Sequence, residues 1–123
     1  MENSSNGFGK LIKSFGFAFT GIYVLLKSEQ NTRIHFLATI CALIAGILLR
    51  ISKSEWCIIL IVVALVWASE AFNTVIEKIT DHLFPEHHET ARIIKDVAAG
   101  AVLVCALTSL VCGLIIFLPK LFS

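Results

Sequence analysis

Residues 97–118 read VAAGAVLVCALTSLVCGLIIFL, twenty-two consecutive positions without a charge. A helix needs about 20 such residues to cross a hydrocarbon core of ~30 Å. This stretch therefore sets the class: the chain belongs in a bilayer. Composition agrees. Over 123 residues, 57% are hydrophobic and 15% charged, and the mean hydropathy is +0.86. Soluble domains run nearer ~45–50% apolar and ~25% charged. The same figures exclude a disordered chain, a disulfide-stapled secreted domain and a nucleic-acid binder. Ten Lys and Arg face nine Asp and Glu, a net charge of +1, so no global field attracts a polyanion.

Upstream of this span, three further apolar segments are separated by short polar stretches. Residues 55–83 open on Glu55–Trp56, stay apolar through Ser69, and then admit Glu70, Asn73, Glu77 and Asp81 before Pro85 ends the run. Trp56, at the start of a span, suits the aromatic belt of a membrane interface. Residues 33–50 hold sixteen uncharged positions between Arg33 and Arg50, enough to cross if the ends snorkel. Residues 8–28 repeat Phe8, Leu11, Ile12, Phe15, Phe19, Ile22 and Leu26 at helical spacing, but their uncharged core, 14–26, is thirteen residues long. That core covers ~20 Å, short of the hydrocarbon thickness, and predicts an amphipathic helix lying on the surface. The expected fold is all-α, a single membrane domain over 1–123, with a surface helix (8–28) and three transmembrane helices (33–50, 55–83 and 91–118, closed by Pro119–Lys120).

The positive charges orient it. With three spans, Lys10, Lys13, Lys27, Arg33, Lys78, Arg92 and Lys95 share one side, and Arg50, Lys53 and Lys120 the other. The positive-inside bias puts the first group in the cytoplasm. A four-span arrangement would split the basic clusters. Cys41, Cys57, Cys105 and Cys112 each lie in an apolar run with no CxxC spacing and read as small buried hydrophobes. Lys10, Lys13 and two glycines interrupt the first segment, so it does not read as a signal peptide.

The segment EAFNTVIEKITD, residues 70–81, carries the chemistry. A carboxylate at membrane depth costs ~2.5–3.5 kcal/mol on insertion scales. At 100° per residue, Glu70, Thr74, Glu77, Asp81 and Asn73 fall on one stripe about 100° wide, while Ala71, Val75 and Ile79 point elsewhere. Arg92, Lys95 and Asp96 lie within about one helical turn of each other. They precede the small-residue run 98–101, which lets helices approach closely. Glu29, Glu70, Glu77, Asp81 and Asp96 outnumber Arg92 and Lys95, and a divalent cation would offset the excess. Mg²⁺ favours one or two carboxylates plus phosphate oxygens, so the cluster suggests a metal–nucleotide complex. No GxxxxGK[ST] loop is present. Spacing alone leaves other uses open: a structural ion-pair seam, or a small oligomeric cation or proton carrier.

The run from Glu70 to Asp81 resembles the signature E-x-x-N-[ST]-x-I-E-x-x-x-D of the prokaryotic diacylglycerol kinase and undecaprenol kinase family. KDVAAGAVL, residues 95–103, is similar to its second signature, K-D-x-[AG]-[AS]-[AG]-A-V-L. Glu86-His87-His88-Glu89, Gly7-Phe8, Lys13 and Gly16 also fit, and the likeness covers nearly the whole chain. It implies a homotrimer with active sites between protomers, in the inner membrane of a bacterium. The implied reaction is ATP-dependent phosphorylation of a membrane lipid alcohol. Position by position, the resemblance implies Glu70 as general base and Glu29 and Glu77 as ligands of Mg²⁺ on ATP. It also implies nucleotide contacts from Lys10, Phe17, Glu86, His87, His88, Lys95 and Asp96. Relatives of the diacylglycerol type often carry Arg and Tyr where Lys10 and Phe17 stand, so a bidentate phosphate contact is lost at Lys10. Asn31, Arg33, His35, Trp56, Asn73, Asp81, Arg92 and Ala99 are expected to support the site and the lipid. The stretch 29–35, EQNTRIH, looks more like the undecaprenol branch, because diacylglycerol kinases tend to have a carboxylate where His35 stands. His35 reads equally as a snorkelling residue.

Overall fold

The computed structural model describes residues 7–123. Among the described residues there are four α-helices and no strand: α1 (Gly7–Ser28), α2 (Gln30–Leu48), α3 (Lys53–Leu83) and α4 (Glu89–Leu121). All four are long and apolar enough to cross a membrane. For α1 this exceeds what its uncharged core suggested, because one continuous helix of 22 residues incorporates Lys10 and Lys13. At 1.5 Å per residue, α3 and α4 run ~45–50 Å, well beyond the ~30 Å of hydrocarbon. Their surplus turns carry the charged residues.

Only Glu29 separates α1 from α2, in extended backbone (φ −118°, ψ 120°). The end of α1 is closed by Arg33, whose Nη1 donates to the carbonyls of Leu26 (3.2 Å) and Lys27 (2.9 Å). A cation on otherwise unpaired carbonyls also suits the negative end of the helix dipole.

The turn from α2 to α3 is built in more detail. Arg50 takes the left-handed conformation (φ 54°), and the Ile51 N–H donates to the Gly46 carbonyl (3.2 Å). This is the wrapping end of a Schellman motif, with the apolar residue after the turn, Ile51, buried. Ser52 then caps α3: its Oγ accepts from the Glu55 N–H (3.2 Å), while Glu55 Oε1 accepts from the Ser52 N–H (2.9 Å). Gly46 is required by packing, since a Cβ there would sit 2.7 Å from the Trp56 ring. Ile51, Ile59 and Ile116 form a core beside this turn, with Trp56, Val63 and Phe117 against it.

α3 and α4 pack along much of their shared length, and α2 meets α3 more lightly. Elsewhere the apolar side chains face outward: Phe8, Phe72, Leu48 and Val97 are among many that stay mostly exposed. Such a surface needs lipid or other copies of the chain around it. The expectation that Pro119 closes the last helix needs correction. α4 continues through it to Leu121, and the Phe122 N–H still donates to the Leu118 carbonyl (3.2 Å). So near the end of the helix, a proline withholds one hydrogen bond without forcing termination.

Candidate active site

The acidic stripe on α3 grades from buried to exposed. Glu70 is 3% exposed and Thr74 is buried, Asn73 and Glu77 are half-buried, and Asp81 is exposed. Seven residues separate Glu70 from Glu77, or ~10.5 Å of axial rise. Glu70 thus lies deepest. The side chain of His35 of α2 lies against it, with Nε2 3.8 Å from Glu70 Oε1. That contact puts the His35 ring against the stripe.

Three buried polar atoms on these two helices have no hydrogen-bond partner: Thr32 Oγ1, Asn73 Oδ1 and Thr74 Oγ1. An unpaired buried acceptor or hydroxyl costs ~1–3 kcal/mol. All three lie on the two helices that carry His35 and the buried Glu70, which makes this stretch a candidate site. Thr32, wholly buried at 0% exposure, was missed in the sequence, where it is one more polar residue between Asn31 and Arg33. Its position three residues before His35, on the same helix face, was the available signal.

A second cluster lies further along, where α3 hands over to α4. A cavity of about 290 Å³ is lined by Asp81, Phe84, Pro85, Glu86, His87, His88, Ala91, Arg92, Lys95 and Asp96. Lys95 Nζ donates to Asp81 Oδ1 (2.7 Å), joining α4 to the stripe. Arg92 does not reach the stripe, although the small-residue run that follows it would let the helices approach closely. It is held on its own helix by Glu89 (2.6 Å) and Asp96 (3.2 Å), because i,i+3 and i,i+4 partners lie closer than a neighbouring helix. His88 caps α4, with Nδ1 accepting from the Ala91 N–H (3.4 Å), and its ring stacks on Phe84 at 4.6 Å.

The structure therefore gathers Glu70, His35 and Asn73 at depth, and Asp81, Glu86, His87, His88, Arg92, Lys95 and Asp96 around the cavity. The remaining candidates stand apart. Lys10 and Phe17 are exposed on α1, Asn31 and Arg33 are exposed at the start of α2, and Ala99 is exposed on α4. Trp56 packs on Gly46 at the opposite end of α3. Among the described residues, no three His, Cys, Asp or Glu side chains converge as a metal cage. Glu29 and Glu77 could supply at most a pair of carboxylates. A buried carboxyl, unpartnered polar side-chain atoms and, further along α3, a polar cavity with lysine and arginine make up the candidate site.

Comparison with known proteins gives the same direction. Residues 16–117 match the family described as prokaryotic diacylglycerol kinase. The undecaprenol kinase of Bacillus subtilis (strain 168) is 40% identical over 120 residues, covering 98% of each chain. A diacylglycerol kinase of Synechocystis sp. is 32% identical over 114 residues, covering 92% of this chain and 65% of that protein. The diacylglycerol kinase of Escherichia coli (strain K12) is 26% identical over 111 residues, 90% of this chain and 91% of its own length. With a family match across most of its length and a relative this similar end to end, the chain belongs to the prokaryotic diacylglycerol kinase family and is a lipid kinase.

Proposed function

We propose that this chain transfers the γ-phosphate of ATP to the hydroxyl of a membrane lipid alcohol, undecaprenol in preference to diacylglycerol, at the cytoplasmic surface of a bacterial inner membrane. One observation carries the reading. Among the described residues Glu70 is a buried carboxyl with no Lys or Arg in ion-pair contact, while Lys95 pairs with Asp81 and Arg92 with Glu89 and Asp96. A structural ion-pair seam would give this buried carboxyl a basic partner as well.

In the proposed reaction Glu70 accepts the lipid hydroxyl proton. The freed oxygen bonds to the γ-phosphorus, the bond from that phosphorus to the β–γ bridging oxygen breaks, and ADP leaves. Because α3 carries Glu70 deeper than Glu77 by ~10.5 Å, the lipid arrives from the bilayer side and the nucleotide from the water side. Lys95, Asp96, Glu86, His87 and His88 hold the nucleotide in the cavity beneath α4, with Arg92 nearby. Glu29 and Glu77 would hold Mg²⁺. The donor set fits: both are half-buried hard-oxygen ligands, only two in number, with the unpartnered Asn73 Oδ1 close in sequence to Glu77. When bound, the ion supplies charge neutralisation on the phosphates. Orientation and proton acceptance remain the protein's work.

We assign α1 to the membrane surface, with three spans and Lys10 and Phe17 facing the site of an assembled homotrimer. Two features support this: both residues are exposed and outside either cluster within one chain, and much apolar surface is uncovered. The polyprenol preference rests on the stretch 29–35 and on the 40% identity to an undecaprenol kinase, against 26% and 32% to diacylglycerol kinases.

Purified protein in nanodiscs with Mg-ATP and either undecaprenol or diacylglycerol tests both levels. Phosphate should appear on extracted lipid, faster with undecaprenol. Equal rates would remove the polyprenol preference, and unlabelled lipid in both arms would remove the kinase reading.

A further inference from the structure

We propose that Thr39 and Trp67 are positioning residues, a hydrogen-bonded latch that fixes His35 against Glu70. The proposal rests on the reading of Glu70 as the base. Two polar side-chain contacts join α2 to α3 among the described residues, and they lie one turn apart. One is His35 with Glu70 (3.8 Å). The other is Trp67 Nε1, which donates to Thr39 Oγ1 (3.0 Å). Thr39 follows His35 by four residues and Trp67 precedes Glu70 by three, so on antiparallel helices the two contacts form successive rungs.

The Thr39 hydroxyl works in both directions. It accepts the indole N–H and donates its own proton to the backbone carbonyl of His35 (2.7 Å). A hydroxyl that accepts one bond donates a stronger one. The segment of α2 that bears the His35 ring is thereby tied to α3 through Trp67. Phe36, the next residue, meets the Trp67 ring edge-to-face (6.2 Å, 85°) and adds a second contact to the same rung.

Packing alone would hold this register poorly, because α2 meets α3 lightly. Within a bilayer no water competes for the indole N–H, so the bond has no cheap alternative. His35 and Thr39 also border a small cavity of about 210 Å³ between α2, α3 and α4, space into which an unlatched α2 could shift. A reacting group displaced by about 1 Å can lose on the order of 10²-fold in rate. The latch therefore acts on turnover, through the direction in which Glu70 presents its carboxylate.

The test uses the full chain in nanodiscs with Mg-ATP and undecaprenol, comparing Thr39→Val, Thr39→Ser, Trp67→Phe and the Val/Phe double variant. Valine keeps the shape of threonine without its hydroxyl, serine keeps the hydroxyl, and phenylalanine keeps a ring without the N–H. Thr39→Val and Trp67→Phe should each lower kcat by about tenfold, with KM for Mg-ATP unchanged. Thr39→Ser should retain wild-type kcat. The double variant should be no slower than the slower single, since both break one bond. The latch is overturned if valine and serine behave alike, if the two losses multiply, or if only the unfolding midpoint falls while kcat holds. If Thr39→Val does not fold, Trp67→Phe alone decides through its kcat against KM. A wild-type protein inactive on both lipids would instead overturn the kinase reading, and the latch's role with it.

Discussion

The two ends of the helix bundle handle polar groups in opposite ways. At the α2–α3 turn the capping donors and acceptors are answered locally. Ser52 and Glu55 cap each other, Ile51 closes onto Gly46, and Lys120 of α4 meets Glu55 at 3.4 Å. Towards the other end Thr32, Asn73 and Thr74 keep buried polar atoms unpaired on the helices that carry His35 and Glu70. The first end is finished by the chain itself. The second leaves those atoms unanswered within the chain, and the two behaviours sit on one α-helical hairpin.

Substitutions can break this contrast or sharpen it. The largest effect should come from Glu70→Gln, which keeps shape and removes the proton acceptor. Loss of general-base help predicts a fall of about 10²–10⁴-fold in lipid phosphorylation, with the unfolding midpoint no lower than wild type. A variant that keeps half its activity would erase the distinction between the ends. Gly46→Ala acts at the finished end, where the new Cβ meets the Trp56 ring. Overpacking there should cost ~1–3 kcal/mol in a denaturation series, with the kcat of the folded fraction unchanged.

Thr32→Val reverses the sign. Replacing an orphaned hydroxyl by a methyl should raise stability by ~1 kcal/mol while lowering activity, measured on the same preparation. If stability fell instead, Thr32 Oγ1 would have a partner in the membrane, and the second end would be less open than it looks. The smallest effect is expected from Arg50→Gly. Arg50 occupies a left-handed conformation, which costs a side-chain-bearing residue ~1 kcal/mol, so glycine should stabilise by up to that amount without touching turnover. Destabilisation would mean that the arginine side chain matters more to the turn than its backbone strain.

Much of this was legible in the residues. The uncharged run 97–118 announced a membrane helix, and the periodicity of 70–81 put its carboxylates on one stripe whatever the neighbours did. The family signatures turned that stripe into a candidate kinase site. Other features were not legible, for physical reasons. Arg92 could have faced α3 by spacing, and only the geometry of its own helix diverts it to Glu89 and Asp96. Proline at 119 reads as a terminator, yet a helix near its end tolerates the missing donor. Thr39 and Trp67 are 28 residues apart, and no pattern local to either announces that they meet.

What the chain's order of residues determined alone was composition-driven and local: residence in lipid, helix periods, and the face on which acids gather, since these follow from transfer free energy and 3.6 residues per turn. Pairing between helices was left to the tertiary structure. It decided which acid is neutralised by lysine, which is left with His35, and which hydroxyls stay unanswered. Such choices depend on crossing geometry and on competition among nearby partners, and neither is written in any single segment.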